Sequence, residues 1–205
     1  MTLPVSYSWY PIGERLCIAY EANQGRRVNA IGAYFTHGPE AGRLEYQTWA
    51  SLPPHARKAK RKTPEQVAQE YGLRLTEIGP IDSARLLAFV WLIADRPQDA
   101  ASDWKRERPL MIVLDNYSVH KSQTIKEAIA VLEAADIYLV YLPSYSPELS
   151  NIEPVWNDTK QHYMPTRSYE EVVDLKRATE NALKRKAENL RQKQLKTTNL
   201  ERLAA

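Results

Sequence analysis

Two short apolar runs, "PLMIVLD" at 109–115 and "IYLVYL" at 137–142, bracket "SQTIKEAIAVLEAAD" at 122–136. The middle segment carries apolar Ile125, Ala128, Ile129 and Leu132 at helical spacing behind a serine suited to an N-cap. Few arrangements accommodate a strand, a helix and a strand in that order. Strands joined this way run parallel through a right-handed crossover, which sets their carboxyl ends side by side. The unbroken apolar character of both runs predicts strands buried on both faces.

Upstream, "DSARLLAFVWLIAD" at 82–95 predicts a helix capped by Asp82, with Leu86, Leu87, Val90, Trp91 and Ala94 facing a core. Residues 15–20, "RLCIAY", and 27–35, "RVNAIGAYF", read as neighbouring hairpin strands between turn signals, and 43–50, "RLEYQTWA", as a third. A basic excursion, "SLPPHARKAKRKTPEQ", follows, in which Thr63 caps a short helix through Pro64 and Glu65.

The carboxyl edge of the parallel pair is where chemistry is expected. Asp115 ends the first strand. After the second, "PSYSPELSN" holds Pro143 and Pro147, which keep the chain out of helix and deliver Glu153 to the first turn of a new one, facing back towards Asp115. Two converging carboxylates repel unless a cation lies between them. Hard oxygen donors without a cysteine or histidine set suit Mg2+ or Mn2+, and such ions serve phosphoryl chemistry. The bland alternative is a turn-forming Asp and a Glu that complements a helix dipole.

Composition narrows the setting. Cys17 is the only cysteine, so no disulfide pairs within the chain. The amino terminus lacks a basic start followed by an apolar stretch, and "LLAFVWLIA" at 86–94 is too short to span a bilayer, so a cytoplasmic, non-membrane protein is expected. The net charge is only +3, yet "HARKAKRK" at 55–62 clusters five Lys or Arg, including Lys58, Lys60, Arg61 and Lys62, and 184–196 adds Lys184, Arg185 and Lys186. Such clusters fit a polyphosphate partner or a solvated face.

"VLDNYSVHKS" followed by "IYLVYLPSYSPELSNIEPVWNDTK" resembles the second and third catalytic blocks of DDE transposases of the mariner superfamily, in their bacterial insertion-sequence form. The resemblance is close over about residues 110–165 and weaker in "SWYPIGER" and "RRVNAIGAYF". It implies an α/β, ribonuclease H-like mixed sheet flanked by helices, and a Mg2+- or Mn2+-dependent enzyme that cuts DNA at transposon ends and joins the 3' hydroxyl to a target. Asp115 and Glu153 would be the second and third acids of its triad, separated by thirty-seven residues. Asn116 and His120 would flank the metal site, with the histidine as apt to orient the loop as to touch substrate. Trp156, three residues past Glu153, reads as a core anchor, and Lys160, one further turn along, as a phosphate contact. DNA is the implied partner, with a homodimer acting on it in the bacterial cytoplasm.

The sequence departs from the family pattern at one point. The first catalytic aspartate should lie on a strand before the part that "SWYPIGER" resembles, and no Asp precedes Asp82. Asp82 sits as a helix cap, and Glu14 and Glu21 lie in or beside later strands. The expectation is therefore the carboxy-terminal part of a transposase, lacking its first strand and its amino-terminal helix-turn-helix. It would be either half of a split reading frame, completed by an upstream transposase part, or a remnant. A remnant kept as a noncatalytic DNA-binding protein is the alternative. Residues 1–165 are expected to form the catalytic domain and 166–205 a basic helix opening near Ser168, its apolar side marked by Val172, Val173 and Leu175. That helix is either a solvated, partly packed terminus or an arm that tracks phosphates.

Overall fold

The computed structural model of the chain describes residues 27–52, 62–144, 146–165 and 169–204. The expected strand at 15–20, Cys17, Lys58, Lys60, Arg61 and the helix start near Ser168 lie outside them. In chain order the elements are β1 (Val28–Tyr34), β2 (Leu44–Ala50), α1 (Pro64–Tyr71), α2 (Ser83–Ile93), β3 (Leu110–Leu114), α3 (Gln123–Ala134), β4 (Ile137–Tyr141), α4 (Ile152–Asp158) and α5 (Val172–Ala204). Short 3-10 turns stand at Leu75–Glu77, Ser118–Lys121 and Pro147–Leu149, and a π-helical turn at Thr159–Tyr163. By their contacts the described residues fall into two compact units, one within 30–47, 81–155 and 190–204, the other within 27–29, 48–80 and 156–189.

In the first unit β3 and β4 pair in parallel, from Leu110 opposite Ile137 to Leu114 opposite Tyr141, with α3 as the crossover. Ser122 caps α3 by accepting from the Ile125 N–H, and Asp82 caps α2 by accepting from the Arg85 N–H at 2.8 Å. Both helices are anchored where the polar residue precedes the apolar period. Leu86, Val90, Ala94, Ile125, Leu132, Ala135 and Ile137 form the core, with Leu110, Ile112 and Leu139 packed on it from the sheet.

The expectation of strands buried on both faces is corrected. Side chains along β3 and β4 alternate, and Met111 is 67% exposed and Val113 55%, with Tyr138 and Val140 exposed beside them. The period of two sends alternate residues to opposite faces, and α2 and α3 pack on one of them. The architecture is α/β as expected, and the described residues make two two-stranded sheets, β1 with β2 and β3 with β4, flanked by helices. The Phe35 N–H donates to the Arg43 carbonyl and the Ser51 N–H to the Arg27 carbonyl, both at 2.9 Å, as an antiparallel hairpin requires. Its turn needs glycine at 42, where φ is +85° and an added Cβ would stand 2.7 Å from the Cβ of Gln194 in α5.

In the second unit, α1 starts at the expected Thr63 cap. Gln66 completes a reciprocal capping box, and Gly72 ends the helix in the left-handed region. Val67 and Ala68 of α1 pack with Ala50, Ile78 and Val172. The last helix opens at Val172, after the non-helical residues 169–171. Val172 and Leu175 are buried as expected, Val173 partly so. Two of this helix's cations are also buried. The Lys176 ammonium donates to Glu180 at 2.6 Å and Glu77 at 3.3 Å, and that of Lys186 to Asp158 at 2.5 Å. Among the described residues no helix is long and apolar enough to cross a membrane.

Candidate active site

The in-register pairing of β3 and β4 decides what lies next to what at their carboxyl edge. Because Leu114 stands opposite Tyr141, the residues that follow, Asp115 and Leu142, leave the sheet together, and the Leu142 N–H still donates to the Leu114 carbonyl at 2.8 Å. The Asn116 side-chain amide donates to the Leu142 carbonyl at 2.8 Å, tying the two exits to each other.

Asp115 is 56% exposed, yet its carboxylate is held on one side. Its Oδ1 accepts from the Tyr117 N–H at 2.9 Å, which is an Asx turn, and lies 2.8 Å from His120 Nδ1. The same ring nitrogen is 3.2 Å from the Asp115 carbonyl oxygen. His120 is itself fixed. Its side chain is only 18% exposed, its N–H donates to the Tyr117 carbonyl at 3.0 Å, and its carbonyl accepts from the Tyr141 hydroxyl at 2.7 Å. Burial pushes the Tyr141 phenol above its usual range, which keeps that hydroxyl protonated and able to donate.

Tyr117 and Tyr141 are absent from the sequence expectations. A strand-end aspartate two residues before a free N–H signals the Asx turn. Tyr141 carried no signal, since its partner is a carbonyl made available only by the fold of the Ser118–Lys121 turn.

Glu153 stands in the first turn of α4, as expected, and its N–H donates to the Ser150 carbonyl at 3.1 Å. Its carboxylate is exposed, and among the described residues no hydrogen bond or ion pair joins it to Asp115. No three His, Cys, Asp or Glu side chains among the described residues gather closely enough to hold a metal. Asp115 and Glu153 do fit one chemically. They are hard oxygen donors, Glu153 is exposed, and the second oxygen of Asp115 is unengaged among the described residues. Mg2+ commonly binds one or two carboxylates and completes its shell with water and phosphate.

The remaining expected site residues separate by burial. Trp156 is half-buried, and the buried residue of α4 is its neighbour Val155. Lys160 is exposed on the π-helical turn. Lys184 and Arg185 are exposed on α5, with the Arg185 guanidinium 5.5 Å from the centre of the Tyr163 ring. Lys62 pairs with Glu70 at 2.5 Å. Lys186, also among the expected DNA contacts, has a side chain only 7% exposed, and its ammonium is engaged by Asp158. Residues 184–186 are successive positions about 100° apart on one helix, so one of three adjacent cations turns inward.

An acid-ended strand beside a parallel neighbour, with a loop leading from that neighbour to a first-turn glutamate, defines an α/β domain with an acidic residue at the carboxyl edge of its sheet. A family model described as DDE superfamily endonuclease matches residues 73–176, half of the chain, and takes in Asp115, Asn116, His120, Glu153 and Lys160. The chain belongs to the DDE superfamily endonucleases. Proteins of this family act on DNA and generally use divalent metal ions. The comparison with curated proteins finds no match.

Proposed function

We propose that this chain is the carboxy-terminal part of a DDE transposase catalytic domain of the mariner superfamily, insertion-sequence type, with Asp115 and Glu153 as two of its metal-binding carboxylates. The observation that carries this reading is the exposed Asp115 at the end of β3, beside the exit of the strand whose loop leads to Glu153, within the span of the family match. A Mg2+ or Mn2+ ion held there supplies activation of an attacking oxygen and charge neutralisation at the phosphate. Asp115 and Glu153 bind it, and Asn116 keeps the two strand ends at fixed spacing. Exposed Lys160, Lys184 and Arg185 attract the DNA backbone. Cleavage would free a 3' hydroxyl at an element end for joining to target DNA, the protein acting as a homodimer. The first carboxylate of the set has no candidate before Asp82, so it would come from outside these 205 residues, from chain continuous with them or a separate part.

The test is nicking and end joining on DNA bearing the element's ends, in Mg2+ and in EDTA, by the chain alone and by a product fused to the upstream coding sequence. Metal-dependent cleavage that is lost in Asp115→Asn and Glu153→Gln supports the reading. Metal-dependent cleavage that survives both substitutions overturns it.

A second reading, a remnant that binds DNA without cutting it, is favoured by the lack of a three-carboxylate cluster among the described residues. It predicts DNA affinity that is equal in EDTA and in Mg2+, unchanged in Glu153→Gln, and no cleavage by either product.

A further inference from the structure

The Asx turn alone accounts for one donor to Asp115, the Tyr117 N–H, and leaves the histidine unexplained. His120 Nδ1 approaches the same Oδ1 at 2.8 Å from a second direction. Two donors on one oxygen fix the plane of the carboxylate, whereas one donor would still let it rotate about χ2. The other oxygen, Oδ2, has no partner among the described residues.

The ring that makes this second bond is not free to move. Nδ1 faces two acceptors, the Oδ1 and the carbonyl of Asp115, so it carries a proton, and a neutral ring then has its lone pair on Nε2. The Tyr117 ring meets it edge-on, with centroids 5.9 Å apart and planes at 79°. The Tyr141 hydroxyl anchors its backbone, and Lys121 next to it lies 5.9 Å from the centre of the Tyr141 ring. A ring packed so closely for a surface turn has a directional task.

The geometry points to His120 as a positioning residue that occupies Oδ1 of Asp115 and so presents Oδ2 alone, in a fixed direction, to a divalent cation. This rests on the proposed metal-binding role of Asp115. Ligating carboxylates are commonly oriented by such hydrogen bonds, whose loss weakens metal affinity about 10–100-fold. His120 does not touch the reacting atoms in this assignment. It acts through Asp115.

Two measurements on the full chain separate the inference from the reading beneath it. In the first, Mn2+ binding is followed by electron paramagnetic resonance for the parent chain, Asp115→Asn, His120→Ala and His120→Asn. Asp115→Asn should abolish the site. If Mn2+ binds that variant as well as the parent, the metal-binding role of Asp115 fails. His120→Ala should weaken binding about 10–100-fold, and His120→Asn, whose amide donates from nearly the position of Nδ1, should recover most of that loss. Parent-like affinity in His120→Ala, or no recovery in His120→Asn, overturns the positioning role. The second measurement is 15N NMR of the metal-free chain with a neutral imidazole. The proton of His120 is expected on Nδ1, and a proton on Nε2 with Nδ1 bare overturns the assignment whatever the metal titration shows.

Discussion

Two buried lysines of one compact unit and two exposed carboxylates of the other are used in opposite ways. In the unit containing most of α5, Lys176 and Lys186 are buried cations, each closed onto carboxylates. Glu180 accepts further from the Thr48 hydroxyl at 2.7 Å. In the unit containing β3 and β4, Asp115 and Glu153 are exposed carboxylates, and among the described residues the side-chain partner of Asp115 is a histidine. A buried charge must be paired, because desolvation without a partner is prohibitive, so a closed pair points to structure. A carboxylate oriented on one oxygen and open on the other is stable only because water can serve the open side, and it is ready for a ligand. Burial and partner number thus separate charges that hold the fold from charges available to a substrate.

The largest effect that would sharpen this contrast is on activity. Asp115→Asn and Glu153→Gln should each lower metal-dependent cleavage by more than about a hundredfold, on the scale of removing a group that stabilises developing charge. Their urea denaturation midpoints should stay at the parent value. A loss of stability in step with activity would put these carboxylates in the structural class.

The converse is expected at Asp158. Removing it as Asp158→Ala strands the buried Lys186 ammonium and should cost about 3 kcal/mol in urea denaturation. Lys186→Met leaves no buried charge and should cost less. Equal losses would mean that the pair contributes through packing rather than charge.

Acid should reveal the other buried cation. Glu77 is held down to about 2, first by hydrogen bonds from Arg74 and then by Lys176. A carboxyl depressed from 4.5 in this way contributes stability that is complete above its ordinary range and is lost as pH falls from about 4.5 towards 2. The denaturation midpoint should fall over that window, and by less in Arg74→Ala. An identical acid limb in that variant would break the assignment.

The smallest effect is at the surface. Replacing Lys184 and Arg185 with Ala should lower the slope of log affinity for duplex DNA against log salt by up to about 2, with stability within about 0.5 kcal/mol of the parent. An unchanged slope removes these residues from the DNA contact.

Local chemistry made much of this molecule readable. Thr63, Asp82 and Ser122 announce helix starts because a polar side chain followed by an apolar period of 3.6 has few other uses. The acids at the end of β3 and the start of α4 were readable for the same reason, since strand ends and first helical turns follow from neighbouring residues. Burial was less readable. "LMIVL" is as apolar at Met111 and Val113 as at Ile112, and the strand alone does not say which face a helix will cover. Likewise, nothing in "LKRKAE" tells Lys186 from Lys184, because the partner that draws one inward is Asp158, twenty-eight residues away.

The order and type of elements around the crossover, their caps, and the two acids that terminate and initiate them were set by the sequence alone, since each depends on interactions within a few residues. The tertiary structure decided which face of β3 and β4 is covered, which lysine of a basic run is buried, and that the Tyr141 hydroxyl holds the His120 backbone beside Asp115. Those outcomes depend on groups brought together across the sheet edge or from distant helices, and no local pattern encodes a partner that only folding supplies.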